Sequence, residues 1–187
     1  MAMEHLGTRV LETDRLILRP FRLEDAEAMY RNWASDPEVS KFLTWPAHTL
    51  PEVTSQVIDS WVQEYHRKDF YNWAIVLRSN GEEPIGNISV VSHSDPVARA
   101  TMGYCIGRRW WRQGITSEAL ACVIQFLIRD VGMRRVDAMH DVENPNSGAV
   151  MRKCGMRLEG TMRQVAVNNL GIRDVCWYAI LAEDLRS

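Results

Sequence analysis

Apolar positions along this chain switch between a spacing of two and a spacing of three to four, and each switch marks a change of element. In Arg15-Leu16-Ile17-Leu18-Arg19, Leu16 and Leu18 alternate with Arg15 and Arg19, predicting a strand that Pro20 ends or holds at a sheet edge. Leu23, Ala26, Met29, Tyr30 and Trp33 fall at helical spacing behind Glu24 and Asp25, predicting a helix over 23–33. Thr49-Leu50-Pro51-Glu52 opens a second helix, with Thr49 as its cap and Pro51 in its first turn. Val53, Val57, Trp61 and Tyr65 give that helix an apolar face. Trp73–Leu77, Ile85–Val91 and Thr101–Ile106 then read as consecutive strands, the first two joined by a turn at Ser79-Asn80-Gly81.

Past Gly114 the helical period returns. Ile115, Ala119, Cys122, Val123, Phe126 and Leu127 mark one face of a helix of about three to four turns. Gly132 closes it. A strand over Arg135–Met139, a short helix over Ser147–Cys154 and closing strands near Met156–Glu159 and Arg173–Leu181 follow. Ser147 can cap the short helix, Arg152 and Lys153 suit its last turn, and Gly155 terminates it. The pattern predicts a mixed α/β fold, and without a repeat or linker residues 1–187 read as one domain.

Composition removes several function classes. A chain with 46% hydrophobic residues can form a core without disulfides or metals. The 22 Lys+Arg against 24 Asp+Glu, net charge -2, give no global attraction to nucleic acid or anionic membrane. An anion site must therefore be local. Cys105, Cys122, Cys154 and Cys176 stand far apart and offer no zinc-ligand spacing, so no metal is expected. No apolar run approaches the roughly 20 residues of a membrane span. Residues 1–13 lack the apolar stretch of a secretion signal, which makes a reducing cytoplasm the expected compartment.

Chemistry concentrates where the strand ending at Ile106 gives way to the long helix. Arg108, Arg109 and Arg112 crowd a loop that ends in Gly114, directly before a helix N-terminus. The first N–H groups of a helix have no internal partners, and with the helix dipole they attract anions. A solvated basic turn is the plainer reading of the same residues.

Two stretches sharpen that choice. Gly103-Tyr104-Cys105-Ile106 followed by Trp111-Arg112-Gln113-Gly114-Ile115-Thr116-Ser117-Glu118-Ala119-Leu120 resembles the acetyl-CoA loop of the GNAT (GCN5-related N-acetyltransferase) superfamily. Asn144-Pro145-Asn146-Ser147-Gly148-Ala149-Val150-Met151-Arg152-Lys153-Cys154-Gly155-Met156 resembles a later helix of that family. Leu158-Glu159-Gly160 and the opening Leu11-Glu12-Thr13-Asp14-Arg15-Leu16-Ile17-Leu18-Arg19-Pro20 are similar to the ribosomal-protein-alanine N-acetyltransferase (Rim-type) subfamily. The likeness covers about residues 11–184. The loop departs from the family pattern at Trp111, where a polar residue is usual, and at Thr116, where a small one is.

The resemblance implies a central, mostly antiparallel sheet of six to seven strands, splayed into a V-shaped cofactor gap and flanked by helices. It implies acetyl-CoA as co-substrate and a primary amine as acceptor, either a protein N-terminus or a small molecule such as an amino acid, polyamine or antibiotic. A non-catalytic CoA-binding module is the alternative outside catalysis; a monomer or homodimer is expected. Backbone groups around Cys105, Ile106 and Arg108 would hold the pantetheine arm. The amides of Arg112, Gln113, Gly114, Ile115, Thr116 and Ser117 would hold the pyrophosphate, and Asn144 would contact the thioester end.

By the same resemblance, a backbone N–H near Cys105 or Ile106 would serve the oxyanion. Many relatives carry a tyrosine acid where this chain has Met151. Ser147 matches the serine implied for the leaving thiolate in the ribosomal-protein subfamily and is the candidate acid, with Tyr104 as a second catalytic candidate. The family's glutamate positions hold Thr101 and Ala166 here. Tyr104, His93, His140 and Asp141 remain as bases, with a water route to solvent as the simpler expectation.

Overall fold

The computed structural model describes residues 3–185. Its strands are β1 (Leu11–Glu12), β2 (Leu16–Arg19), β3 (Asn72–Leu77), β4 (Pro84–Ser94), β5 (Arg99–Ile106), β6 (Arg135–Asp141), β7 (Arg157–Asn168) and β8 (Gly171–Leu181). They form one open sheet in the order β1-β2-β3-β4-β5-β6-β8-β7. Every neighbouring pair is antiparallel except β5 and β6. The mixed α/β reading stands. The sheet has an eighth strand because the two-residue β1 covers β2, so Pro20 does not follow an edge strand.

Both faces of the sheet are covered. Helices α4 (Ile115–Phe126) and α5 (Pro145–Lys153) lie on one face, where Ile115, Ala119, Leu120, Val123 and Met151 pack with Leu16, Trp73, Ile75, Met102 and Val136. The other face meets Met29, Trp33, Val39 and Ile58, with Phe21 and Ala74. Strand alternation explains the split: Trp73 and Ile75 point to the first cluster and Ala74 to the second. Trp33 and Trp73 are fully buried and Trp110 nearly so, whereas Trp111 is exposed. Among the described residues, no helix is long and apolar enough to cross a membrane.

The helix expected over 23–33 is not uniform. It begins as a 3-10 turn at Leu23–Asp25, continues as α1 (Ala26–Met29) and widens into a π turn at Tyr30–Ala34. Leu23 is exposed, because the tighter first turn rotates it off the apolar face. Helix α2 (Pro37–Ser40), capped by the Asp36 carboxylate accepting from the Glu38 N–H at 3.0 Å, has no counterpart in the apolar pattern. Helix α3 (Pro51–Glu64) takes Leu50, not Thr49, at its cap position, and the Thr49 carbonyl accepts from the Tyr30 hydroxyl. Thr54 and Ile58 are its buried residues, with Val57, Trp61 and Tyr65 partly buried and Val53 outside.

Two polar arrangements tie distant parts together. Arg19 and Asp25 form a bidentate pair at 2.7 and 2.8 Å with both side chains under a tenth exposed (8% and 7%). At the other end of the chain, the Asn169 amide donates to the carbonyls of Ser40 and Trp45 at 2.8 Å and of Leu43 at 3.2 Å. This fastens the β7–β8 turn to the loop after α2. Strand β7 runs to Asn168, well past the expected Glu159, around a bulge where Gln164 has φ 52°, and β8 begins at Gly171, two positions before the expected Arg173.

Candidate functional site

The parallel ladder between β5 and β6 is short. It runs from Arg99 and Arg135 to Met102 and Ala138, and beyond it the strands part while β6 stays with β8 as far as Asp141. Residues 103–106 therefore lack a neighbour on that side, which opens the V-shaped gap. The direction of their peptide groups follows from hydrogen bonds on either side of β4. The Gly107 N–H donates to the Ile85 carbonyl at 3.0 Å, and the Val90 N–H donates to Tyr71 at 3.0 Å on β3's side. Peptide direction alternates along an antiparallel strand, so Gly103, Cys105 and Gly107 address β4, while Tyr104 and Ile106 address the gap. This corrects the expectation for Cys105, whose backbone is engaged with Asn87. Its thiol is pushed up to about 12 by desolvation and is no nucleophile at neutral pH.

The loop leaves the gap with Arg108–Trp110 in a 3-10 turn. The Trp111 indole N–H then donates to the Ile106 carbonyl at 2.8 Å, folding the loop back over the end of the gap. Arg112 (φ 61°) and Gly114 (φ 74°) both take left-handed backbone, which turns the chain sharply into α4. The first helical bond runs from the Glu118 N–H to the Gly114 carbonyl at 3.1 Å, so the N–H groups of Ile115, Thr116 and Ser117 precede the helix's own ladder.

Charge converges on these amides from other elements. A Cβ on Gly114 would stand 3.3 Å from Lys153 Nζ of α5 and 3.7 Å from Arg15 Nη2, just before β2. Arg15 also donates to the Gln113 carbonyl at 3.1 Å and to Glu118 at 2.7 Å. Burial raises the pKa of Glu118, but its bonds from Thr13 and Arg15 outweigh this and hold it low. Lys153 and Arg15 were not expected at the loop, being 39 positions after and 99 before Gly114 in sequence. The Arg108 guanidinium turns the other way and pairs with Asp36. Gln113 donates from its side chain to the Arg109 carbonyl at 2.9 Å.

The remaining candidates sort by position. Tyr104 and Ser147, proposed separately from sequence, meet across the gap's α5 side. The Tyr104 hydroxyl lies 2.9 Å from Ser147 Oγ and 3.0 Å from the Ser147 carbonyl. Burial pushes the phenol well above its usual range, offset in part by Ser147, so it stays protonated. Ser147 does not cap α5: Asn144 holds that position, followed by Pro145. Asn144 donates its backbone N–H to Asp141 at 2.8 Å, and its side chain makes no capping bond.

Of the possible bases, His93 pairs with Ala100 near the far end of β4, away from the gap. His140 is buried, with Nδ1 2.8 Å from the Asp141 carbonyl and Nε2 facing Gly148. Burial raises the pKa of Asp141, but Arg173, the Glu143 N–H and Asn168 more than offset it and hold the carboxyl low. A carboxylate so engaged is a weak proton acceptor.

Gly114→Trp is expected to fill the space before Lys153 and Arg15 and to raise KM for a doubly phosphorylated ligand by at least about tenfold, on the order of 1.4 kcal/mol. Unchanged KM in the folded variant would place the anion elsewhere.

Comparison with known proteins fits this geometry. Residues 15–157 match the family model described as an acetyltransferase (GNAT) domain. YoaA of Bacillus subtilis strain 168, described as an uncharacterized N-acetyltransferase, is 31% identical over 92% of this chain and 96% of its own length. The [ribosomal protein uS5]-alanine N-acetyltransferase of Escherichia coli K12 is 25% identical over 80% of this chain and 79% of its own. The solved GNAT-family acetyltransferase of Bacillus anthracis superposes with a TM-score of 0.82 at 24% identity, covering 94% of this chain and 99% of that one.

Proposed function

The chain belongs to the GNAT acetyltransferase family and is an acetyl-CoA-dependent N-acetyltransferase, and from that premise we propose that an acceptor amine attacks the thioester in the gap between β5 and β6. The observation that carries this reading is that residues 103–106 have no strand partner on the gap side, with the Tyr104–Ser147 pair beside them. The gap-facing peptide groups of Tyr104 and the Ile106 N–H bind the pantetheine amides as a strand-like ladder, the Ile106 carbonyl being taken by Trp111. The amides of Ile115, Thr116 and Ser117, with those of Arg112, Gln113 and Gly114, hold the pyrophosphate, assisted by Arg15 and Lys153. Asn144, its side chain uncommitted to capping, contacts the thioester end.

In the reaction a C–N bond forms as the C–S bond breaks. A gap-facing backbone N–H of Tyr104 or Ile106 donates to the carbonyl oxygen as it gains charge. The departing thiolate takes a proton from the Ser147 hydroxyl, which takes one from Tyr104. Tyr104 recovers its own from the water that receives the acceptor's proton, so no phenolate persists. The acceptor nitrogen loses its proton to water, since Asp141 is held ionised and Tyr104 is held protonated.

A pH consequence follows. The rate constant kcat/KM should rise with pH as the acceptor's own ammonium deprotonates and then level off. No falling limb is expected below about pH 10, because Tyr104 keeps its proton above its usual pKa. Two acceptors differing in amine pKa should shift the rise by that same difference. A rise fixed at one pH for both would reveal an enzymic base.

We favour a protein N-terminal amine as acceptor, supported by the relative that acts on the alanine of ribosomal protein uS5. The test is thiol release from acetyl-CoA with N-terminal peptides beside free amines. Turnover of free amines alone would overturn the protein substrate, and turnover of neither would overturn the catalytic reading. We assign the enzyme to the cytoplasm, where its four free cysteines stay reduced.

A further inference from the structure

His93 lies seven strand positions from Gly86, the partner of Ile106, hence roughly 23 Å from the mouth of the gap. It has no part in the proposed chemistry, yet it sits in a built cluster. His5, on the segment before β1, and Asp95, in the turn between β4 and β5, join it. One ligand atom from each of the three lies within 4.8 Å of the others. His93 Nδ1 is 2.8 Å and His5 Nε2 is 3.1 Å from the same oxygen, Asp95 Oδ1. The imidazole rings meet edge-on with centroids 4.9 Å apart.

The far nitrogens also have partners. His5 Nδ1 is 3.0 Å from the hydroxyl of buried Tyr71. His93 Nε2 is 3.8 Å from Asp69 Oδ2, and Asp69 is itself fixed by Arg67 at 2.9 and 3.1 Å. Both imidazoles therefore have one nitrogen toward a common centre and the other beside an orienting oxygen. Metal-bound histidines are commonly oriented in this way. Zinc ligands at about 2.0–2.2 Å stand roughly 3.3–3.5 Å apart, and the two N···O separations, 2.8 and 3.1 Å, would have to open toward that spacing. The side chains of His5, His93 and Asp95 are 15%, 28% and 51% exposed, leaving a way in from solvent.

We propose that His5, His93 and Asp95 form a site for a divalent transition metal, suited to Zn²⁺, with water in the remaining position. The ion fastens the segment before β1 to the β4–β5 turn. That segment already docks through the Leu6 N–H on Tyr71 at 3.1 Å, the Gly7 N–H on Lys68 at 2.7 Å and Thr8 on Phe70 at 2.9 Å. The role is structural, remote from catalysis, and independent of which amine the enzyme acetylates.

Chelator-stripped full-length protein titrated with zinc chloride by calorimetry should take up one equivalent with a Kd of about 1 µM or below. His93→Gln and Asp95→Asn should each weaken binding by at least about tenfold, and zinc should raise the melting temperature of the parent but not of these variants. Cobalt(II) loaded into the parent should give visible d–d bands without the near-ultraviolet charge-transfer absorption of a thiolate ligand. No saturable uptake up to about 100 µM zinc, uptake unchanged in both variants, or a cobalt–thiolate band would overturn the site. The cobalt spectrum is read on the parent and decides the matter even if a variant fails to fold.

Discussion

Ser147→Ala is expected to lower kcat about 100-fold while leaving KM for acetyl-CoA within about threefold, the size of effect typical of a positioned acid. The hydroxyl lies 2.9 Å from Tyr104, whose burial keeps it protonated, so Tyr104 can relay a proton to Ser147 only as it regains one from water. Tyr104→Phe should lose a similar factor. The double variant should be little worse than either single one, because residues acting as a unit are strongly non-additive. Independent, multiplying effects would mean that the two hydroxyls serve separate steps. Leaving-group chemistry supplies a sharper readout. A thioester whose thiol is more acidic needs less protonation on departure, so it should recover much of the Ser147→Ala loss. Equal loss on both thioesters would assign Ser147 to packing or orientation.

Asp25→Ala is expected to cost about 3–5 kcal/mol of folding stability, the penalty for leaving a buried cation without its partner. Arg19 is buried and lies where β2 ends, and its guanidinium meets both Asp25 oxygens as well as the carbonyls of Pro20 and Glu82. Asp25 also accepts from the Arg22 N–H at 2.8 Å, which holds the first turn of the helix in place. Urea unfolding should show a lower midpoint with little change in slope. The companion Arg19→Met/Asp25→Leu removes both charges and should restore most of the loss. A double variant as unstable as the single one would show that packing volume, not the orphaned charge, sets the cost.

The reach of the sequence differs from element to element for identifiable reasons. The strand-to-helix junction around Gly114 was legible because the apolar period changes there, and three arginines crowd a loop in a chain of net charge -2. The α5 region was legible through its resemblance, but the helix starts two residues earlier than the expected Ser147, since Pro145 and the Asn144 cap carry no apolar signal. Strand β7 was seen only at its start because most of its residues are exposed, which removes the alternation that a half-buried strand displays.

The apolar pattern does not separate Cys105, whose peptide groups face β4, from Tyr104, whose peptide groups face the gap. Side-chain alternation does not reveal which neighbouring strand lies on which side, and that decides where a peptide group points. The contact of Tyr104 with Ser147 spans 43 positions, and the approach of Lys153 to Gly114 spans 39; neither leaves a local trace. His5 and His93 are likewise joined only by the docking of the first residues onto β3 and the loop before it. Met151, by contrast, is buried as a core residue, so the position that holds a tyrosine in many relatives has passed to packing here.

The amide of Asn169 closes a loop of 129 residues when it reaches the Ser40 carbonyl. A closure that long carries a high entropic toll until the intervening sheet exists, so it belongs to the final stage of assembly rather than to the nucleus. Interactions absent from the transition state govern how fast the native form comes apart, not how fast it is reached. Asn169→Ala should therefore steepen nothing on the refolding limb of a chevron and should lift the unfolding limb. This side chain acts as a brake on escape from the finished structure.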